Sequence, residues 1–416
     1  MKKYMLTFPI AMLVLLILAQ DTMAIPAFAR KYGFNCNMCH TAYTKLNDFG
    51  QRYRDNGYQV PGQEGHEKSV LDTSTPIAMR LTLGYSAYDN ADGKTNGFNL
   101  LGFDFFAAGV LHKNISFLLI YTPRLDEPGA DFSGNDAGQP GALESVSLIF
   151  SNVIQDALNL RIGRFEPGYH VFSSKRSYYL FQPYEIYSFT SPLNNYSFDD
   201  NQIGIEATGH FRSGFKYAAG FINGNGAFAD NNANKDMYGN LVYTFGAGDG
   251  QSAGQRIGVF GYYGWQPTAD LPGTVISPTG ATNGKGNKGF TRYGVDGSFN
   301  WETFNLKLFY MNGVDDKVFN DIDPESEYKY SGGFAELDYA AMFNNRLVAS
   351  VLYNWVRPPE NDNINYMNAY TALVRYYFGS WTAVNVAIHA EYSHREIGKT
   401  DKMKDNLFAL ALDFAF

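Results

Sequence analysis

The sequence predicts an all-β transmembrane barrel of about sixteen antiparallel strands, preceded by a small helical segment, on three observations. The first is composition: 30 Tyr, 33 Phe and 42 Gly in 416 residues, with only 18% charged. Past the N-terminus no stretch approaches the ~20 apolar residues of a spanning helix. A spanning strand needs no such run, because only every second residue meets lipid. The second observation is period-two alternation in sixteen separate runs. The third is that the connections between these runs alternate short and long, as in barrels with tight periplasmic turns and longer outer loops.

Residues 1–24 read as an export signal. Lys2 and Lys3 precede an apolar run from Met5 to Ala19, and Thr22-Met23-Ala24 is an acceptable cleavage site. Pro9 and Asp21 leave the run short for a spanning helix. A net charge of −8 on an exported chain argues against nucleic acid as a partner.

Residues 25–75 form a small unit around Cys36-Asn37-Met38-Cys39-His40, which holds both cysteines of the chain. C-x-x-C-H is the attachment signature of a c-type haem. Two thiols add to the haem vinyl groups, and the adjacent histidine, His40, becomes an axial iron ligand. A disulfide or redox C-x-x-C would need no histidine there. Ala27 to Tyr32 leads in, and Tyr43, Leu46, Phe49 and Tyr53 predict an amphipathic helix from Ala42 to Arg54. Asn56-Gly57 reads as its stop. About fifty residues are too few to enclose a haem, so the unit is expected to lean on the rest of the chain as a plug in the lumen.

The barrel occupies 76–416, with strands expected near 76–88, 98–111, 115–124, 142–152, 157–166, 200–212, 214–223, 237–246, 255–265, 289–300, 303–312, 329–342, 346–356, 364–378, 381–393 and 406–416. In the last, Phe408, Leu410, Leu412, Phe414 and Phe416 alternate with Ala409, Ala411, Asp413 and Ala415. Leu337 faces away from Glu336 and Asp338, and Ile388 from His389 and Glu391, which puts the charged members in a wet lumen. An even strand count brings both barrel ends to the periplasmic side, so the haem segment enters from there.

For the sixth haem ligand, His66 is nearest in sequence and His389 is the best lumen-facing candidate, with His210 weaker. Met79 falls on the lipid-facing phase, and Met38 points away from the iron if the motif is helical. Acids gather in two outer loops, as Asp315, Asp316, Asp321, Asp323, Glu325 and Glu327, and as Asp126, Glu127 and Asp131. Such loops either concentrate Fe²⁺ through their field or are ordinary solvated charge. The loop 167–199 is aromatic and basic (Tyr178, Tyr179, Phe181, Tyr184, Tyr187, with Lys175 and Arg176) and is either a constriction folded inward or an aromatic rim.

Pro26-Ala27-Phe28-Ala29-Arg30, the Cys36–His40 motif, Leu46, Phe49-Gly50 and Gly57-Tyr58, followed directly by a barrel, resemble the fused outer-membrane monohaem cytochrome–porin family. That family includes outer-membrane iron oxidases of iron-oxidising bacteria and uncharacterised relatives. The resemblance implies electron transfer between an extracellular donor or acceptor and a periplasmic cytochrome or other carrier. Its most concrete form is Fe(II) oxidation, as an Fe(II):cytochrome c oxidoreductase in the outer-membrane lipid of a Gram-negative cell. A second class of function is a porin for solute transport whose haem segment is accessory.

Overall fold

The computed structural model describes residues 27–34, 38–42, 45–73, 77–91, 93–123, 142–169, 172–226, 228–245, 255–268, 286–301, 303–342, 346–378 and 385–415. The export signal, Cys36, Tyr43, Asp126, Glu127, Asp131 and Phe416 lie outside the described residues. The N-terminal unit consists of helix α1 (Ala27–Tyr32), a ribbon of two short strands, β1 (His40–Ala42) and β2 (Lys45–Leu46), and helix α2 (Asp48–Asp55).

Sixteen antiparallel strands follow: β3 (Ile77–Asn90), β4 (Gly93–His112), β5 (Ile115–Thr122), β6 (Ala142–Asp156), β7 (Leu158–Phe165), β8 (Gln202–His210), β9 (Phe215–Ile222), β10 (Asp236–Phe245), β11 (Gln255–Pro267), β12 (Asn287–Trp301), β13 (Phe304–Asp315), β14 (Tyr328–Met342), β15 (Leu347–Arg357), β16 (Met367–Tyr377), β17 (Asn385–Ile397) and β18 (Met403–Ala415). Each pairs with its neighbour in sequence, and β18 closes on β3, with Asp413 opposite Thr82. Every run expected from alternation is a strand. The alternation also reads the faces correctly: Phe408 and Leu410 are exposed, whereas Ala409, Ala411 and Asp413 are buried.

The outer surface has the layout of a membrane barrel. Val259, Val295, Leu308, Val351 and Val374 form part of an exposed apolar band. At the short-turn end Phe215 meets Tyr243, and Phe304 meets Tyr339. At the long-loop end Tyr263 meets Trp265, and Tyr353 stacks on Trp355. Two aromatic girdles around an apolar band are the signature of an outer-membrane barrel.

Two sequence expectations change. The helix expected from Ala42 to Arg54 begins only at Asp48. Asn47 is its N-cap, accepting a 2.9 Å hydrogen bond from Gly50 N, and its own N–H donates to Cys39 O at 2.9 Å. That reverse connection pairs 40–42 with 45–46 as a ribbon instead of another helical turn. The expected stop at Asn56-Gly57 is present: Gly57 has φ +69°, and a Cβ there would meet Ser116 Oγ at 2.8 Å. The second change is Asp315, which is buried against Arg292 in the wall (Oδ2–Nη2 3.2 Å) and does not belong to the outer acidic cluster.

The long segment between β7 and β8 settles the choice left open by its composition. It folds inward as a constriction. Tyr169, Tyr178, Tyr184, Tyr187, Tyr196 and Phe198 are all at most 2% exposed, packed against Phe260, Phe309 and Phe334 of the wall. Its short helix α3 (Glu185–Ser188) rests on β14 and β15.

Candidate functional site

The lumen wall is lined with paired charges: Arg161 with Glu206, Arg256 with Asp296 and Lys307 with Asp338 join neighbouring strands, and Arg375 of β16 reaches across β17 to Asp413 of β18. Low-dielectric surroundings make each unpaired member costly. Into this wall the N-terminal unit inserts its own charges. Lys45 pairs with Glu336 and lies 2.8 Å from Asp338 Oδ2, with its ammonium 4.0 Å from the Tyr178 ring centroid. Asp55, at the end of α2, receives His210 Nε2 at 2.8 Å and Lys216 Nζ at 2.9 Å, beside Arg54 at 2.8 Å. Burial alone would raise the Asp55 pKa. Arg54, Lys216 and His210 outweigh it and hold the carboxyl well below its ordinary value.

Neutral contacts extend the docking. Gln59 donates to Ser151 (3.0 Å), Asn159 donates to Asn56 (3.1 Å), and Ser69 donates to Leu111 O (2.7 Å). Phe28 stacks on Tyr58 (5.1 Å, 8°) and meets Phe106 of β4 edge-on at 5.5 Å. The described residues within 27–73, called the plug below, therefore pack against lumen-facing side chains of the wall. A cavity of about 150 Å³ remains between plug and constriction, lined by Lys45, Asp55, Arg176, Lys216, Arg256 and Lys307 among others.

Cys39 and His40 lie on the ribbon, both half-buried. His40 pairs with Leu46, and Gly50 packs so closely that a Cβ there would meet Cys39 O at 2.1 Å. The motif's backbone is thus gripped from the N-terminal turn of α2. Cys36 falls outside the described residues, and among the described residues no three His, Cys, Asp or Glu side chains form a metal-holding cluster.

The histidine candidates separate clearly. His66 is exposed in the polar turn after α2. His210 is committed to Asp55. His389 is fully buried on the lumen side, its Nε2 2.9 Å from Glu391, and its Nδ1 has no hydrogen-bond partner among the described residues. A ring nitrogen held by a carboxylate while the other is left open is the usual outer-shell arrangement of a metal-ligating histidine. Cys39 and His40 are the described members of the attachment motif, and His389 holds one buried ring nitrogen without a hydrogen-bond partner among the described residues.

Sequence reasoning missed the docking residues Lys45 and Asp55. Of their partners, Glu336 and Asp338 stood out in the sequence as lumen-facing charges and His210 as a weaker ligand candidate, whereas Lys216 did not.

No family model and no curated protein matches the chain. Its fold is similar to several solved structures. These include an anion-selective porin from Comamonas acidovorans (TM-score 0.54, 12% identity, covering 82% of this chain and 100% of that one) and OmpT of Vibrio cholerae (0.53, 12%, 82% and 99%). OprB of Pseudomonas putida is a third (0.52, 16%, 83% and 95%). The likeness lies in the architecture, and the chain has the fold of an outer-membrane porin barrel.

Proposed function

We propose that this barrel is an electron-transfer protein of the outer membrane. In this reading a haem c is attached through Cys36 and Cys39 with His40 as one iron ligand, and electrons pass between an extracellular donor or acceptor and a periplasmic cytochrome or other carrier. The supporting observation is the filled lumen: the unit bearing Cys39 and His40 is clamped inside the wall by Lys45 and Asp55, beneath an inward aromatic loop. When bound, a haem supplies one-electron redox chemistry at a potential set by its ligands and burial. The chain's own residues hold the motif against the wall of a barrel that crosses an insulating band ~25 Å tall, with Cys39 and His40 half-buried.

His389 is the sixth-ligand candidate that its surroundings favour over His66. Fe(II) oxidation is the most concrete form of the reaction. For it the outer loop keeps Asp321, Glu325 and Glu327 exposed, which raises the local cation concentration.

The second reading, a porin for solutes with an accessory haem segment, draws on the porin fold of the structural neighbours and on the polar residual cavity. The comparisons favour it, and the blocked lumen favours the first. A reduced-minus-oxidised spectrum of the denatured and native protein, with Fe²⁺ as reductant, is the deciding measurement. Covalent haem reduced by Fe²⁺ is the expected result. No covalent haem would remove the electron-transfer reading, and haem that Fe²⁺ leaves oxidised would remove the iron assignment alone.

A further inference from the structure

Asp55, at the end of α2, has more cations around it than it can neutralise. Its Oδ2 meets His210 at 2.8 Å and Lys216 at 2.9 Å, and its Oδ1 accepts from Arg54 Nε (3.0 Å) and Nη2 (2.8 Å). One carboxylate thus serves two fixed cations and an imidazole, and its lone pairs are taken. More like charge stands close by. Arg54 repels Arg176 of the inward loop, and both Arg54 and Arg256 of β11 repel Lys216. Glu166 pairs with Arg176, and Asp296 with Arg256. In this group four cations meet three carboxylates, and one positive charge is left over.

The surplus borders open space. Arg54, Lys216 and Arg256 all line the cavity of about 150 Å³ between plug and constriction. A single water needs only about 10–15 Å³ measured in that way, so the space admits a tetrahedral oxyanion. Phe172, Tyr178 and Tyr184 close the cavity on the side of the inward loop. Thr244, Ser298 and Asn305 line it beside the short-turn ends of β10, β12 and β13, the end that faces the periplasm in such barrels. Arg54 and Arg256 each keep an Nη1 that has no hydrogen-bond partner among the described residues and is not enclosed. Asn240 of β10 lines the same wall, buried, with its amide nitrogen also unpartnered among the described residues. The carboxylates that line the cavity, Asp48, Asp55, Glu206 and Asp338, are each paired with a cation already. What the cavity offers a ligand is therefore donors and positive charge.

We propose that Arg54, Lys216 and Arg256 form a binding site for a small divalent oxyanion of the phosphate type. Arg54 belongs to the plug, whereas Lys216 and Arg256 belong to β9 and β11, so an anion held by all three ties plug to wall. Guanidinium forks match the edges of an oxyanion, and each hydrogen bond to it is charge-assisted. Neither Cys39 nor His40 lines the cavity, so the site stands apart from any group carried by the motif.

The test titrates the full-length protein in detergent with sodium phosphate at constant ionic strength, chloride making up the balance, so that general screening stays the same. The unfolding temperature and the trypsin resistance of residues 45–73 are followed together. Phosphate should raise both saturably. Arg54→Gln leaves Asp55 with Lys216 and His210, and should raise the half-saturating phosphate concentration about tenfold, as expected for the loss of one charged donor. Asn240→Asp hardly changes the size of the side chain but puts a fixed negative charge on the cavity wall. It should abolish the phosphate response, and it keeps the test valid should Arg54→Gln fold poorly. No response in the wild type overturns the site. So does a wild-type response in Asn240→Asp, or an unchanged half-saturation in folded Arg54→Gln.

Discussion

Lys45 is the residue whose removal should be felt furthest. Among the described plug residues it is the cation that reaches both Glu336 and Asp338, and without it these two buried carboxylates keep Lys307 as their shared cation, besides the neutral donors Tyr184 and Ser350. Removing one partner of a buried ionic group typically costs about 3–5 kcal/mol, because the other is left uncompensated. Lys45→Ala should therefore loosen the plug while leaving the strand ladder intact. Limited trypsin digestion of the detergent-solubilised protein checks this. New cuts between 45 and 73 are expected, with an unchanged heat-modifiable shift of the barrel on a gel, and digestion identical to wild type would contradict the role. Nothing in the sequence near Lys45 distinguishes it from a solvated lysine. Its importance comes from residues nearly three hundred positions away.

Helix α2 and the inward loop are the elements that close the lumen. At the foot of α2, Asp55 is held well below its ordinary pKa by Arg54, Lys216 and His210, against the opposing effect of burial. A depressed carboxyl stabilises docking fully above its unfolded value of about 4 and progressively loses that contribution as pH falls towards its folded value. Plug protection from protease should accordingly be flat from pH 7 to about 5 and decline in stronger acid. Asp55→Asn should be weaker at neutral pH and lack that acid-dependent step. A wild-type profile that declines between pH 7 and 5 would mean that another group controls docking.

The strands were legible because a period of two survives any loop error, and each strand's partners are adjacent in sequence. The ribbon was not, since a turn closed by Asn47 onto Cys39 outweighed the helical spacing of the aromatic residues around it. The inward loop was half legible. Its aromatic composition stands out, but the rings it meets, such as Phe334 stacked 4.0 Å from Tyr184 and Phe260 5.6 Å from Phe198, come from strands scattered through the chain.

For the molecule as a whole, plug and inward loop sit in series and touch at Lys45 and Tyr178, and conductance measures both. The wild-type protein in a planar bilayer is expected to show no steady open state. Deleting residues 27–73 should give small, noisy openings, because the constriction is still packed by its own contacts to Glu391, Asn354 and Glu336. Shortening the loop between Ser173 and Ser188 in addition should give a stable pore. A full-size pore in the unaltered protein would favour solute transport as the main activity.

The sharing of Glu336 between the plug's Lys45 and the loop's Tyr184 has a bearing on biogenesis. The plug is made first, yet its strongest anchor belongs to β14, and the cylinder around it is complete only when β18 meets β3. The segment that precedes the strands in the chain therefore finds its place only once they close. It must wait in the periplasm, unsheltered, while the wall assembles. In the proposed haem reading, attachment at Cys36 and Cys39 is expected within that interval, before the wall closes around the segment.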